Sequence, residues 1–232
     1  MKNEAKATNS VYLQGRVGSP IEYSHDLYGE RFYEFTLDVP RLSEHLDELP
    51  VTASETLIQG LCENDQIAVS GQFRSFNRPE GERSRLILSV FAREILPPQP
   101  SVNPNSAALI GYICKPPIYR TTPFNREICD VLLAVNRAYS KSDYIPCIAW
   151  GKNARLLKSA VVGQKLEVTG RIQSRNYTKR LDDGSSQVRT AYEFSIGSVE
   201  LMQKESEVAS TSDLAPEFGN GINGSFAALH DE

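Results

Sequence analysis

Residues 9–53 return, without a gap, 96 positions further along the chain. The matched pairs are Asn9/Asn105, Ser10/Ser106, Leu13/Leu109, Gly15/Gly111, Pro20/Pro116, Tyr23/Tyr119, Leu37/Leu133, Val39/Val135, Arg41/Arg137, Asp47/Asp143, Pro50/Pro146 and Ala53/Ala149. Twelve identities in 45 positions stand against roughly one in fifteen expected from ordinary composition. A shift of 99 then matches Gly71/Gly170, Ser75/Ser174 and Asn77/Asn176. A chain of 232 residues that repeats itself this way is two copies of one small fold. The copies are 1–96 and 105–203, joined by the proline-rich stretch 97–104, which reads as a stiff linker. Residues 204–232 are rich in Ser, Gly, Asn, Ala and acid and read as a disordered tail.

The second copy has the clearer pattern. Leu109 to Ile113 reads as a first strand, Ile128 to Val135 as a second and Tyr144 to Trp150 as a third. Asn153 to Lys158 is a short helical piece closed by the Gly163 turn. Leu166, Val168, Gly170 and Ile172 alternate with polar residues, the mark of a strand wet on one face. Asp182-Asp183-Gly184 signals a hairpin, with Ala191 to Ile196 as the returning strand. Five strands with a helix between the third and fourth predict an all-β chain of two tandem five-stranded OB-type Greek-key barrels, each with a short helix.

Charge follows the same division. Residues 1–104 carry a net −5, residues 105–203 a net +6 and the tail a net −5, so the overall −4 hides one basic domain. Cys62, Cys114, Cys129 and Cys147 form no CxxC pair, and His25, His45 and His230 are scattered. That pattern predicts neither zinc site, disulfide framework nor cofactor, with the cysteines acting as small strand hydrophobes. The start Met1-Lys2-Asn3-Glu4 does not read as a signal peptide, and a cytoplasmic location is expected.

Three segments of the second copy carry a resemblance. These are Arg126-Glu127-Ile128-Cys129-Asp130-Val131-Leu132-Leu133-Ala134-Val135-Asn136-Arg137, Tyr144-Ile145-Pro146-Cys147-Ile148-Ala149-Trp150-Gly151-Lys152-Asn153-Ala154 and Gly170-Arg171-Ile172-Gln173-Ser174-Arg175-Asn176-Tyr177. In that order they resemble the bacterial single-stranded-DNA-binding proteins, over residues 105–201 directly and over 9–95 through the repeat. The resemblance implies sequence-independent binding of single strands in replication, recombination or repair. It places base-stacking aromatics at Tyr139, Tyr144, Trp150 and Tyr177. It also implies assemblies of four such folds, so two chains of this kind, a homodimer, would suffice. A family tail would end on a hydrophobic residue that recruits partners, but here Phe226 and Leu229 are followed by His230-Asp231-Glu232.

The residues themselves support the chemistry. Along the third strand Tyr144, Pro146, Ile148 and Trp150 share one face, while Ile145, Cys147 and Ala149 share the other, which suits a barrel interior. Outward aromatics stack on any base, and Arg126, Arg137, Lys152, Arg155, Arg171, Arg175, Lys179, Arg180 and Arg189 are candidates to follow the phosphates. The bland alternatives are core packing for the aromatics and solvated surface for the cations. In the first copy the four aromatic positions become Ser43, Glu48, Ser54 and Arg78. That copy is therefore expected to serve assembly or to bind weakly by another route. The acidic tail is expected to act as a weak electrostatic lid on the basic domain. A primosomal-type adaptor working through protein contacts is the alternative function, and an enzyme is not expected, for want of a metal cluster or a nucleophile with its base.

Overall fold

A computed structural model describes residues 7–41, 43, 45–80, 83–180 and 184–202, except for the side chains of Glu80, Arg83 and Lys179. Asp182, Asp183 and the tail from Gln203 onward therefore lie outside the described residues. The first copy is built from β1 (Asn9–Val17), β2 (Glu22–Leu27), β3 (Glu30–Pro40), β4 (Leu46–Ser54), β5 (Gln66–Glu80) and β6 (Arg83–Leu96). The second follows with β7 (Asn105–Ile113), β8 (Ile118–Thr121), β9 (Glu127–Asn136), β10 (Ser142–Trp150), α1 (Gly151–Leu157), β11 (Lys165–Arg180) and β12 (Ser186–Leu201).

Each copy closes on itself. In the second, β7 pairs with β11, β11 with β12, β12 with β10 in parallel, β10 with β9, and β9 again with β7. The first closes through β1, β5, β6, β4 and β3 in the same order, with β4 and β6 parallel. These are two five-stranded OB-type barrels. Closure removes sheet edges and packs every inward position, so Leu13, Leu37, Val51 and Val69 fill one core and Leu109, Leu133, Ile145 and Val168 the other. Gly15 and Gly111 recur because the backbone crosses too closely for a side chain. A Cβ on Gly15 would lie 2.1 Å from the Asp38 carbonyl oxygen, and one on Gly111 2.7 Å from that of Ala134.

The barrels are joined through their first strands. β1 and β7 pair antiparallel, with Val11 opposite Ala107, its own repeat mate, and Ser10 and Tyr12 opposite Ala108 and Ser106. The pairing therefore has a local two-fold axis at Val11/Ala107, and one 12-stranded sheet runs through both barrels. The hairpins β5–β6 and β11–β12 cross this axis to the opposite barrel. Ser75 donates its N–H to Asp143 Oδ1 at 2.7 Å, and its Oγ accepts the Tyr144 N–H at 2.7 Å. In mirror fashion Ser174 donates its N–H to Asp47 Oδ1 at 2.7 Å, while the Arg41 guanidinium donates to the Ser174 carbonyl at 2.8 Å. Arg41 pairs with Asp47, and Arg137 lies 3.3 Å from Asp143. Three of the repeated identities, Arg41/Arg137, Asp47/Asp143 and Ser75/Ser174, thus build the seam between the copies.

Three expectations need correction. The first strand of each barrel is broken: β8 pairs with the early part of β9 while β7 pairs with its later part, so six segments make five strands. Among the described residues only the second copy has its helix. Its counterpart is a run of turns held by Leu57 N–H to Ser54 O and Leu61 N–H to Ile58 O, because Thr56 and Ile58 are β-branched and Gly60 turns at φ 77°. Cys129 and Cys147 are buried strand residues, but Cys62 and Cys114 lie outside strands and Cys62 is exposed. The 97–104 stretch is tied along β1, with Gln14 N–H donating to Pro104 O and Gln14 Oε1 accepting from the Gln99 N–H, both at 2.7 Å.

Candidate nucleic-acid interface

The last residue of β10 is Trp150. Inward Ile145, Cys147 and Ala149 fix the strand's phase in the core, so Trp150 faces outward opposite Ile128 and keeps 39% of its surface exposed. The rest of that outward face is less open than the alternation suggests: Pro146 and Ile148 are buried, and Tyr144 is half-buried at the seam beside Ser75. Registers then carry the face sideways. Ile148 lies opposite Ser195 on β12, and Ser195 lies opposite Arg171 on β11. Arg171, Gln173, Arg175 and Tyr177 follow on one side of β11, with Arg189 opposite Tyr177. The face thus runs from Trp150 across two strands to an arm bearing a half-buried tyrosine and several arginines.

The cations differ in how free they are. Arg126, Lys152, Arg171 and Arg180 are exposed. Arg189 is half-buried, with its Nε donating to Gln187 at 3.0 Å. Arg155 is exposed but pairs with Glu127, whose carboxyl lies below its ordinary value chiefly because the Tyr119 hydroxyl donates to it at 2.5 Å. Arg137 is held at the buried Asp143 and belongs to the seam rather than to an open face. Arg175 is half-buried, its Nε and Nη2 shielded from solvent without a hydrogen-bond partner. Of Lys179 only the backbone is described, opposite Gln187.

Tyr139 stands apart in the turn between β9 and β10, 94% exposed and at φ 61°. A tyrosine there adds nothing to the core. Sequence reasoning missed a second residue of this kind: Phe124, in the turn between β8 and β9, is 81% exposed. Its signal was available, since Thr121-Thr122-Pro123-Phe124-Asn125 is a turn composition that offers an aromatic ring no interior to fill.

In the first barrel the positions matching Trp150 and Tyr144 hold Ser54, which is buried, and Glu48, which is exposed. One of its outward aromatics lies one strand over. Phe91 on β6 is opposite Thr52, as Ser195 is opposite Ile148 in the second barrel.

Residues 104–202 match the Single-strand binding protein family. Single-stranded DNA-binding protein 1 of Streptococcus pyogenes is 34% identical over 125 residues, covering 50% of this chain and 93% of that protein. Single-stranded DNA-binding protein 1 of Lactococcus lactis is 38% identical over 80 residues, 32% of this chain, which spans about half (53%) of that relative's length. Among solved structures, the wild-type single-stranded DNA binding protein from Thermus aquaticus superposes with a TM-score of 0.67 at 18% identity. That match covers 89% of this chain and 98% of the other, so the shared fold runs through both barrels. With the Streptococcus protein matched along nearly its whole length, this chain belongs to the single-strand binding protein family.

Proposed function

We propose that this chain binds single-stranded DNA without sequence preference, and that the second barrel carries the main binding face. The single observation that supports this most is Trp150, an aromatic ring left partly exposed at a strand end in a domain of net +6 that belongs to this family. A base stacked on such a ring loses no hydrogen-bond specificity to the protein, because every base has the same kind of face. Arg126, Lys152, Arg171 and Arg180 stand exposed to meet phosphates, and each phosphate neutralised releases counterions. Tyr177 and Arg189 extend the track along the β11–β12 arm, and Tyr139 and Phe124 offer rings in the adjoining turns. The site makes and breaks no covalent bond; it holds strands exposed in replication, repair and recombination.

The seam between β1 and β7 already pairs two barrels within one chain, so a four-barrel assembly needs one further copy. The homodimer and a cytoplasmic setting are part of this proposal; no helix among the described residues is long and apolar enough to cross a membrane. The test is anisotropy of a labelled oligothymidine titrated with the full chain across a salt series. Affinity is expected to fall log-linearly with salt, with a slope of several phosphates. Absence of binding at low salt would contradict the reading, and salt-insensitive binding would contradict its phosphate-tracking part.

A further inference from the structure

We infer that the first barrel carries its own stacking site for the same strand, centred on Phe91 and flanked by Arg74 and Arg93. The inference rests on the single-strand reading above and extends the strand's path onto a barrel whose matching aromatic positions are polar.

Five of the ten basic residues in the first 104 positions fall on β5 and β6 or their margins: Arg74, Arg78, Arg83, Arg85 and Arg93. The acids of that acidic copy lie mostly elsewhere, with only Glu80, Glu82 and Glu94 between residues 66 and 96. The half-buried Phe91 lies outward on β6, opposite Gln72, while Val90 and Ala92 beside it enter the core. The Arg74 guanidinium lies 4.8 Å from the centre of the Phe91 ring and that of Arg93 5.8 Å. Arg93 is the extra residue of a β-bulge, since Ser70 pairs with Glu94 and Gly71 with Ala92. Bulges re-aim a side chain, and this one turns a cation to the aromatic face. Behind Phe91 the ring of Phe32 lies 5.5 Å away, with His25 stacked on Phe32 at 5.2 Å, so the platform is backed by rings.

The strand that carries Arg74 also touches the second barrel. Ser75, between Arg74 and Phe76, accepts the N–H of Tyr144, the residue at the start of the Trp150 strand face. Phe76 keeps 42% of its surface exposed, with Arg78 5.8 Å from its ring centre. Arg74 is crowded enough by burial and by Arg137 that its guanidinium sits below its ordinary value. A phosphate brought to this crowd of cations would relieve their repulsion. Across β4, Thr52 faces Phe91 and Glu34 faces Thr52, and the Glu34 carboxylate accepts the Ser24 hydroxyl at 2.7 Å. Beside Tyr144 the first barrel thus offers rings and cations in both directions along β5: Arg74, Phe91 and Arg93 toward the barrel, and Phe76 and Arg78 toward the tip of the arm.

Two oligothymidines of different length test this on the full chain. One of about eight nucleotides fits a single barrel, and one of about thirty reaches both. Arg93→Glu changes an exposed residue, and Phe91→Ala removes the ring. Both variants are expected to keep the affinity and Trp150 quenching seen with the short oligomer. Both are expected to bind the long one about fivefold or more weakly than the parent. Ultraviolet crosslinking of the unaltered protein to a thiothymidine strand needs no variant; crosslinks are expected on the peptide holding Phe91 as well as on that holding Trp150. Equal long-strand affinity in parent and variants, with crosslinks confined to the second barrel, would overturn the second site and leave the main reading intact. No Trp150 quenching with either oligomer in the parent would overturn the main reading and this site with it.

Discussion

Trp150 and the cysteines show how strand phase sets what a side chain does. Alternation along β10 sends Cys147 inward and Trp150 outward, so one strand supplies both a buried thiol and an exposed ring. Burial pushes the Cys129 and Cys114 thiols up to about 11 and that of Cys147 well above its ordinary value. A thiol reagent at neutral pH is therefore expected to label Cys62 quickly and the other three only as the chain unfolds. Rapid reaction of more than one thiol in the folded protein would contradict this packing. Trp150→Ala is expected to weaken single-strand binding by ~1–3 kcal/mol while leaving the fold intact, checked by titration beside circular dichroism. Asp143 behaves differently. Burial raises its carboxyl above the ordinary value, so folding favours its protonated form. Its contribution to stability is full below the unfolded carboxylate value of about 4 and is lost as pH rises through the folded value. Asp143→Asn is expected to flatten the part of the melting-temperature decline that Asp143 causes above that pH; an unchanged slope would remove Asp143 from the account.

At the level of strands, most of the architecture was legible because the repeat preserves what two barrels and their seam both need. Asn9 and Asn105 show this. Each side-chain amide bonds the backbone N–H and C=O of one residue on the neighbouring strand, Phe73 in the first copy and Ile172 in the second, at 2.7 to 3.0 Å. Gly71 and Gly170 sit at bulges where a Cβ would lie 2.3 Å and 2.0 Å from a facing carbonyl oxygen. Gly170→Val is accordingly expected to destabilise the second barrel by several times the ~1 kcal/mol of an ordinary substitution, measured by denaturant melting. What the sequence concealed was burial decided by neighbours distant in the chain. Pro146 and Ile148 alternate like outward residues yet are buried. Arg137 looks like any surface cation of a basic domain until the β5–β6 arm is seen to bury its partner Asp143. The missing helix of the first copy had a local cause, β-branched residues and Gly60, which could have been weighed from sequence.

For the molecule as a whole, the repeat makes one chain into a paired unit. Most of the identities that persist between the copies hold the cores and the seam, while the four positions proposed for stacking carry different residues in each copy. The two barrels are thus held alike for assembly and differ in their outer faces. Light scattering is expected to give twice the single-chain mass of 25.8 kDa, and a single-chain mass at micromolar concentration would contradict the four-barrel assembly. The central claim, a strand stacked on the second barrel, is tested most directly by the emission of Trp150, the sole tryptophan. Titration with oligothymidine is expected to quench that emission to saturation, with the midpoint moving to higher concentration as salt rises. Binding that leaves the emission unchanged would contradict the account.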